Sequence, residues 1–206
     1  MESSKKSPKD VVATWNLPLN DGVHRIELEH GTTTGKRIIR VDGQVSNDSL
    51  PLRSVVRPLL IRILLQEVLR KDWLFKLVGR EDFFVKKFRC TAVIEASSVF
   101  SYQYSLIVDG KPFQAFADSM MKTLKAWEAN LDGSAHYICL EKDTLNVLVN
   151  GEEVDSKGDF LECGMAITFE LKEHTCCIKA SKAAKKSGIT YRLYIDGKEI
   201  TEKTDW

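Results

Sequence analysis

No apolar run in this sequence approaches the roughly eighteen residues a membrane-crossing helix needs. The polar opening MESSKKSPKD has no apolar stretch of the kind a secretory leader carries. A cytoplasmic chain without stable membrane insertion is the expectation. Cysteine is scarce and unorganised, with five residues, no CxxC and no regular framework. Cys176 and Cys177 are neighbours, so on a strand they point to opposite faces and would not share a metal. Reduced thiols follow for such a compartment. An excess of one charge is also lacking. Thirty basic residues stand against twenty-nine acidic ones, net +1 and interspersed, whereas a nucleic-acid binder gathers a basic excess on one face. The sequon Asn47-Asp48-Ser49 carries no weight without a secretory route.

Catalytic motifs are missing too. There is no GxSxG, HExxH or Cys–His arrangement, and the carboxylates are scattered. The loop Gly31-Thr32-Thr33-Thr34-Gly35-Lys36-Arg37 resembles a phosphate loop only superficially. That motif has a longer spacer between its glycines and a Ser or Thr after the Lys, and a hairpin offers no helix N-terminus to receive phosphate. The sequence predicts no catalytic, cofactor-binding or metal-ligating residue, no cofactor and no enzyme.

What is present is a repeat. Trp15 to Glu29 recurs 112 residues on as Trp127 to Glu141, with Trp15, Leu19, His24, Ile26, Leu28 and Glu29 kept in an ungapped register. Val41-Asp42-Gly43 answers Val149-Asn150-Gly151, and Phe75-x-Leu77 answers Phe169-x-Leu171. Tyr104-x-Leu106-x-Val108-Asp109-Gly110-Lys111 answers Tyr191-x-Leu193-x-Ile195-Asp196-Gly197-Lys198. A tandem duplication in 206 residues predicts two domains: a tail over 1–9, a β-domain over 10–113, a connector over 114–122 and a second β-domain over 123–206.

Within each copy the apolar period is two. His24, Ile26 and Leu28 face one way and Arg25, Glu27 and Glu29 the other; Tyr102, Tyr104, Leu106 and Val108 oppose Gln103 and Ser105. Short strands separated by Asp-Gly and Asn-Gly turns predict an all-β chain of antiparallel sandwiches, in part barrel-like. His24 and His136 lie in phase with Ile and Leu, so they read as core histidines with one hydrogen-bonded nitrogen, and Trp15 and Trp127 as structural anchors. His30 and His174 read as loop or edge positions, and the basic stretch Ser181–Gly188 as a solvated hairpin tip. Residues 45–66 have no counterpart in the second copy; Pro58 could open a short helix there, inside a long loop excursion.

The string Asp21-Gly22-Val23-His24-Arg25-Ile26, with Leu28-Glu29-His30-Gly31-Thr32-Thr33, Gly35-Lys36-Arg37 and Val41-Asp42-Gly43, resembles the Fas apoptotic inhibitory molecule family. Phe75-Lys76-Leu77-Val78-Gly79, Leu140-Glu141-Lys142-Asp143 and Asn150-Gly151 extend the resemblance over nearly the whole chain. It implies a non-enzymatic cytosolic protein of two β-domains that opposes death-receptor-triggered apoptosis, acts through protein partners and protects against aggregation. It brings no catalytic residue and leaves the oligomeric state open. The departure is residues 45–66, which intervene where the family pattern passes almost directly to a stretch like Val68–Trp73. A small-ligand sandwich, binding a sugar or lipid in a cleft lined by Trp15, Trp127 or Tyr102, is the alternative reading.

Overall fold

The computed structural model describes residues 11–42, 69–72 (backbone only), 77–99, 101–162, 164–182 and 188–202. The tail, the excursion 45–66, the sequon, Phe75, Phe100, Cys163 and 183–187 of the basic loop lie outside the described residues. By contact the chain divides into two units, Met1–Leu17 with His24–Ala117, and Pro18–Val23 with Asp118–Trp206.

The first unit holds two antiparallel sheets. One runs in the order β1 (Val11–Leu19), β2 (Gly22–His30), β3 (Lys36–Val41), β4 (Leu69–Asp72), the other β5 (Gly79–Val85), β6 (Phe88–Ala96), β7 (Tyr102–Val108), β8 (Lys111–Pro112). Alternation decides which side chains go inside. On β2, His24, Ile26 and Leu28 are buried as the period requires, and on β5 so are Glu81, Phe83 and Val85.

The stretch 114–122, read from sequence as a connector, lies in an α-helix, α1 (Phe113–Thr123). It is anchored by Phe116 and Ala117, which are buried, with Phe116 edge-on to Phe88 at 5.3 Å between ring centroids. The second unit follows with β9 (Leu124–Leu131), β10 (Ser134–Glu141), β11 (Val147–Val149), β12 (Glu152–Val154), β13 (Ser156–Leu161), β14 (Gly164–Leu171), β15 (His174–Lys182), β16 (Ile189–Ile195) and β17 (Lys198–Ile200). Its sheets are ordered β12-β11-β10-β9 and β13-β14-β15-β16-β17. Their inner faces share one core in which Trp127, Ile138 and Val147 meet Phe169, Ile178 and Leu193. The chain is all-β apart from α1 among the described residues. It is built as sandwiches of antiparallel sheets, none of which closes into a barrel.

Hairpin chemistry sets the strand ends. Asp109-Gly110, Asp132-Gly133, Asn150-Gly151 and Asp196-Gly197 have positive φ at both residues, the geometry whose twist matches paired strands. One sequence pairing is corrected. Phe83 opposes Cys90 and Phe169 opposes Cys176, so by register the first-unit counterpart of Phe169-x-Leu171 is Phe83-x-Val85, with Lys86 and Lys172 in left-handed turns after both. Phe75-x-Leu77 matches Phe169-x-Leu171 in residue type alone, which does not report where the following hairpin closes.

Candidate functional site

The same clasp recurs at four strand ends. Asp42, Asp109, Asn150 and Asp196 sit at φ between 46° and 54°. Their side-chain oxygens accept from the backbone N–H of Arg25 (2.7 Å), Arg89 (2.9 Å), Tyr137 (2.9 Å) and Thr175 (3.0 Å). Each returns its own N–H to the carbonyl of that same residue. In three of the four, the preceding residue is a histidine bonded to the clasp side chain. His24 Nδ1 donates to Asp42 at 2.6 Å and His174 Nδ1 to Asp196 at 2.6 Å. His136 Nδ1 accepts from Asn150 Nδ2 at 3.4 Å, because the Asn150 oxygen is taken by Tyr137. His24 and His136 are thus buried histidines that fasten hairpins. His174, at the start of β15, is partly exposed, and Asp132 lies 3.4 Å from its Nε2.

The densest buried polar group lies in the first unit. His30 is buried at the end of β2, a correction to its reading as a loop or edge position: the turn begins only after it, and β2 lies between β1 and β3. Its Nδ1 lies 3.0 Å from the Tyr104 hydroxyl, and its ring meets Tyr102 edge-on at 4.9 Å. Arg37, paired with His30 across β2 and β3, sends Nη1 to Glu81 at 2.6 Å and Nη2 to the Val78 carbonyl at 2.9 Å. Burial and the nearby Arg37 charge hold the His30 pKa below its ordinary value, against a hydrogen bond that the ring donates to the Leu77 backbone carbonyl, which raises it. The cluster was half legible. Arg37 is in phase with Ile39 and Val41, and Glu81 with Phe83 and Val85; two opposite charges in phase with apolar faces predict a buried pair, although periodicity does not say that they are each other's partners.

Chemically these groups fasten rather than react. Burial pushes the Cys90 and Cys139 thiols up to about 12 and Cys176 up to about 11, leaving them almost wholly unionised at neutral pH. Among the described residues no three of His, Cys, Asp and Glu converge as metal ligands. Nor is any helix there long and apolar enough to cross a membrane. Trp127 is 1 % exposed within its core, while Trp15 is only half-buried. A shallow surface depression of about 310 Å³ is lined by Val78–Arg80 and Val93–Ala96, and a deeper groove of about 950 Å³ by Val154–Lys157, Thr168–Glu170 and Thr175. Trp15, Trp127 and Tyr102 line neither. What the surface does offer is apolar side chains in one loop, at a strand end and on one sheet edge: Val99, Ile189, and Leu161 with Phe160.

Fold and site together define a β-sandwich protein whose polar interior fastens hairpins and sheets. The family model of Fas apoptotic inhibitory molecule (FAIM1) matches residues 11–48 and 57–203, so the departure read over 45–66 narrows to the unmatched stretch 49–56. Fas apoptotic inhibitory molecule 1 of Mus musculus is 40% identical over 198 residues, covering 95% of this chain and 98% of the relative. The Homo sapiens protein of that name is 39% identical over 196 residues, covering 94% and 97%. The chain belongs to the Fas apoptotic inhibitory molecule family.

Proposed function

We propose that this chain is a non-enzymatic cytoplasmic regulator that restrains death-receptor-triggered apoptosis through protein–protein interaction and also protects against protein aggregation. The observation that carries the reading is the family match along nearly the whole chain, with relatives named as Fas apoptotic inhibitory molecules. Its partners are proteins, apoptosis-signalling components for the first role and misfolded clients for the second, with no nucleic acid and no stable membrane insertion. In this reading an internal duplication produced domains 10–113 and 123–206, joined by 114–122, with 45–66 an insertion. The recurring clasps and the shared β2 and β10 register support the duplication. No residue is assigned a catalytic, cofactor or metal role. The alternative is a small-ligand sandwich, and it requires a cleft lined by Trp15, Trp127 or Tyr102; Trp127 is buried within its core.

The test is survival after death-receptor ligation in cells lacking the endogenous relative, with and without this chain. Higher survival is expected, and equal killing at matched expression overturns the proposal. His24→Ala serves as the control for chemistry. Loss of protection at unchanged stability and expression would make that histidine a functional group.

A further inference from the structure

The described edge strands differ in how they are protected. β8 is two residues with Pro112, β17 is three residues, and β12 is three residues beginning Glu152-Glu153; the longer edges β1, β5 and β9 each hold buried side chains. Short, charged or proline-bearing edges discourage pairing with other chains. β13, Ser156-Lys157-Gly158-Asp159-Phe160-Leu161, is a six-residue edge with every side chain exposed. Its register sets Ser156, Gly158 and Phe160 opposite Phe169, Ile167 and Met165 of β14. These residues therefore lie on the face that Ile167 and Phe169 turn into the core. Phe160 is nonetheless 91 % exposed, so an aromatic on the core face of the sheet stands beyond the reach of the core.

The free edge is also oriented for pairing. The Lys157 carbonyl accepts from the Thr168 hydroxyl at 3.3 Å, so it is turned toward β14. Strand residues alternate in direction, so Ser156, Gly158 and Phe160 turn their N–H and C=O outward. A second copy of β13 pairing antiparallel about a twofold axis at Gly158 joins these outward groups in reciprocal hydrogen bonds. Lys157 then opposes the other copy's Asp159, twice by symmetry. Moving the axis one residue either way sets Asp159 against Asp159 or Lys157 against Lys157. Charge therefore selects the Gly158 axis. In that register the Phe160 rings lie on the same face, each diagonal to the other copy's Gly158, where a missing side chain leaves room for an aromatic.

We propose that β13 is a self-complementary edge through which two copies of this chain join their five-stranded sheets into one continuous sheet. A six-residue strand addition is small beside the about 1,200–2,000 Å² of a stable interface, so the dimer is weak and concentration-dependent. The pairing does not depend on the identity of the apoptotic partner.

The test is sedimentation of the full chain from low micromolar to its highest soluble concentration. A reversible monomer–dimer equilibrium that weakens with salt is expected. Gly158→Pro removes an outward N–H, and nothing lies within 4 Å of a Cβ placed there, so this variant should fold and remain monomeric. Lys157→Asp and Asp159→Lys each turn both charge pairs repulsive and should weaken the dimer about tenfold. The double variant, with the charges exchanged, should regain it. Circular dichroism and melting establish that each variant is folded. A wild-type chain monomeric throughout overturns the proposal, as does a dimer indifferent to all four variants. Binding of an extended foreign peptide at β13 by a chain that stays monomeric assigns the edge to a different partner and also overturns self-pairing.

Discussion

Arg37 reaches from β3 to Glu81 on β5, Nη1 to Oε1 at 2.6 Å, joining the two sheets of the first unit through a fully buried ion pair. In the second unit Val147 and Ile167 stand at the corresponding positions. Leu140–Val147 closes its ladder as His30–Arg37 closes that of the first, with Val147 and Arg37 each two residues after a left-handed turn residue. Ile167 lies two before Phe169 as Glu81 lies two before Phe83. Both contribute to an apolar core. One arrangement uses charge where the other uses hydrocarbon. Deleting one partner of a buried pair strands the other and costs about 3–5 kcal/mol, while replacing both by apolar groups is often neutral or stabilising. Arg37→Leu and Glu81→Ile should each lower urea-unfolding stability by that amount, and the double variant should recover most of it. A double variant as unstable as the sum of the two would assign the pair a role that hydrocarbon does not replace.

His30 makes the same region sensitive to acid. Its pKa is held below 6.5 by burial first and Arg37 second, so the folded state prefers the neutral ring and the unfolded state binds the proton more readily. The unfolded state then holds more protons as pH falls, and stability declines with acid. His30 contributes its full stability above its ordinary value of 6.5 and loses it as pH falls below that value. His30→Gln should flatten the fall in melting temperature between neutral and mildly acidic pH. An unchanged pH profile would rule out His30 as its source.

His174 should titrate in the opposite sense. Its hydrogen bond to Asp196 raises its pKa above 6.5, with Asp132 adding to the effect, and the same bond lowers the Asp196 pKa below 3.8. Any stability from the raised histidine is present below pH 6.5 and lost as pH rises through its folded value. The contribution of Asp196 is present above 3.8 and lost in acid. Both groups are open to solvent, so the observable is the ring's own titration by NMR. His174 should titrate above His30, and Asp196→Asn should bring His174 back toward its ordinary value.

Periodicity made visible what burial enforces, and little else. The alternation of β2 and of β7 was legible because a core accepts one face of each strand, and the buried residues Ile26, Leu28, Leu106 and Val108 follow it. β13 was invisible for the same reason, since no residue of Ser156–Leu161 is buried and nothing constrains which of them is apolar. The clasps were legible as Asp-Gly and Asn-Gly turns. Their histidines were legible only as in-phase core residues, because the bonds to Asp42 and Asn150 cross between strands eighteen and fourteen residues apart. The helix α1 was missed as a helix because Phe116 and Ala117 are its only buried side chains, too few to register a helical period.

The clasp separates backbone strain from hydrogen bonding at a single residue, and Asp109 is the place to measure it because no histidine shares its carboxylate. Asp109 sits at φ 46° and accepts from the Arg89 N–H at 2.9 Å. Asparagine tolerates this backbone and keeps an accepting oxygen, as Asn150 does at φ 53° opposite Tyr137. Asp109→Asn should therefore leave chemical-denaturation stability nearly unchanged. Asp109→Gly keeps the backbone but loses the accepting oxygen, and should cost about 1 kcal/mol. Asp109→Ala loses the bond and also forces an L side chain into the left-handed region, which adds about 1–2 kcal/mol. The expected order is Asn above Gly above Ala. Equal losses for Gly and Ala would mean the turn relaxes out of its left-handed geometry. A loss for Asn as large as that for Ala would mean the carboxylate charge, not the accepting oxygen, fastens the hairpin.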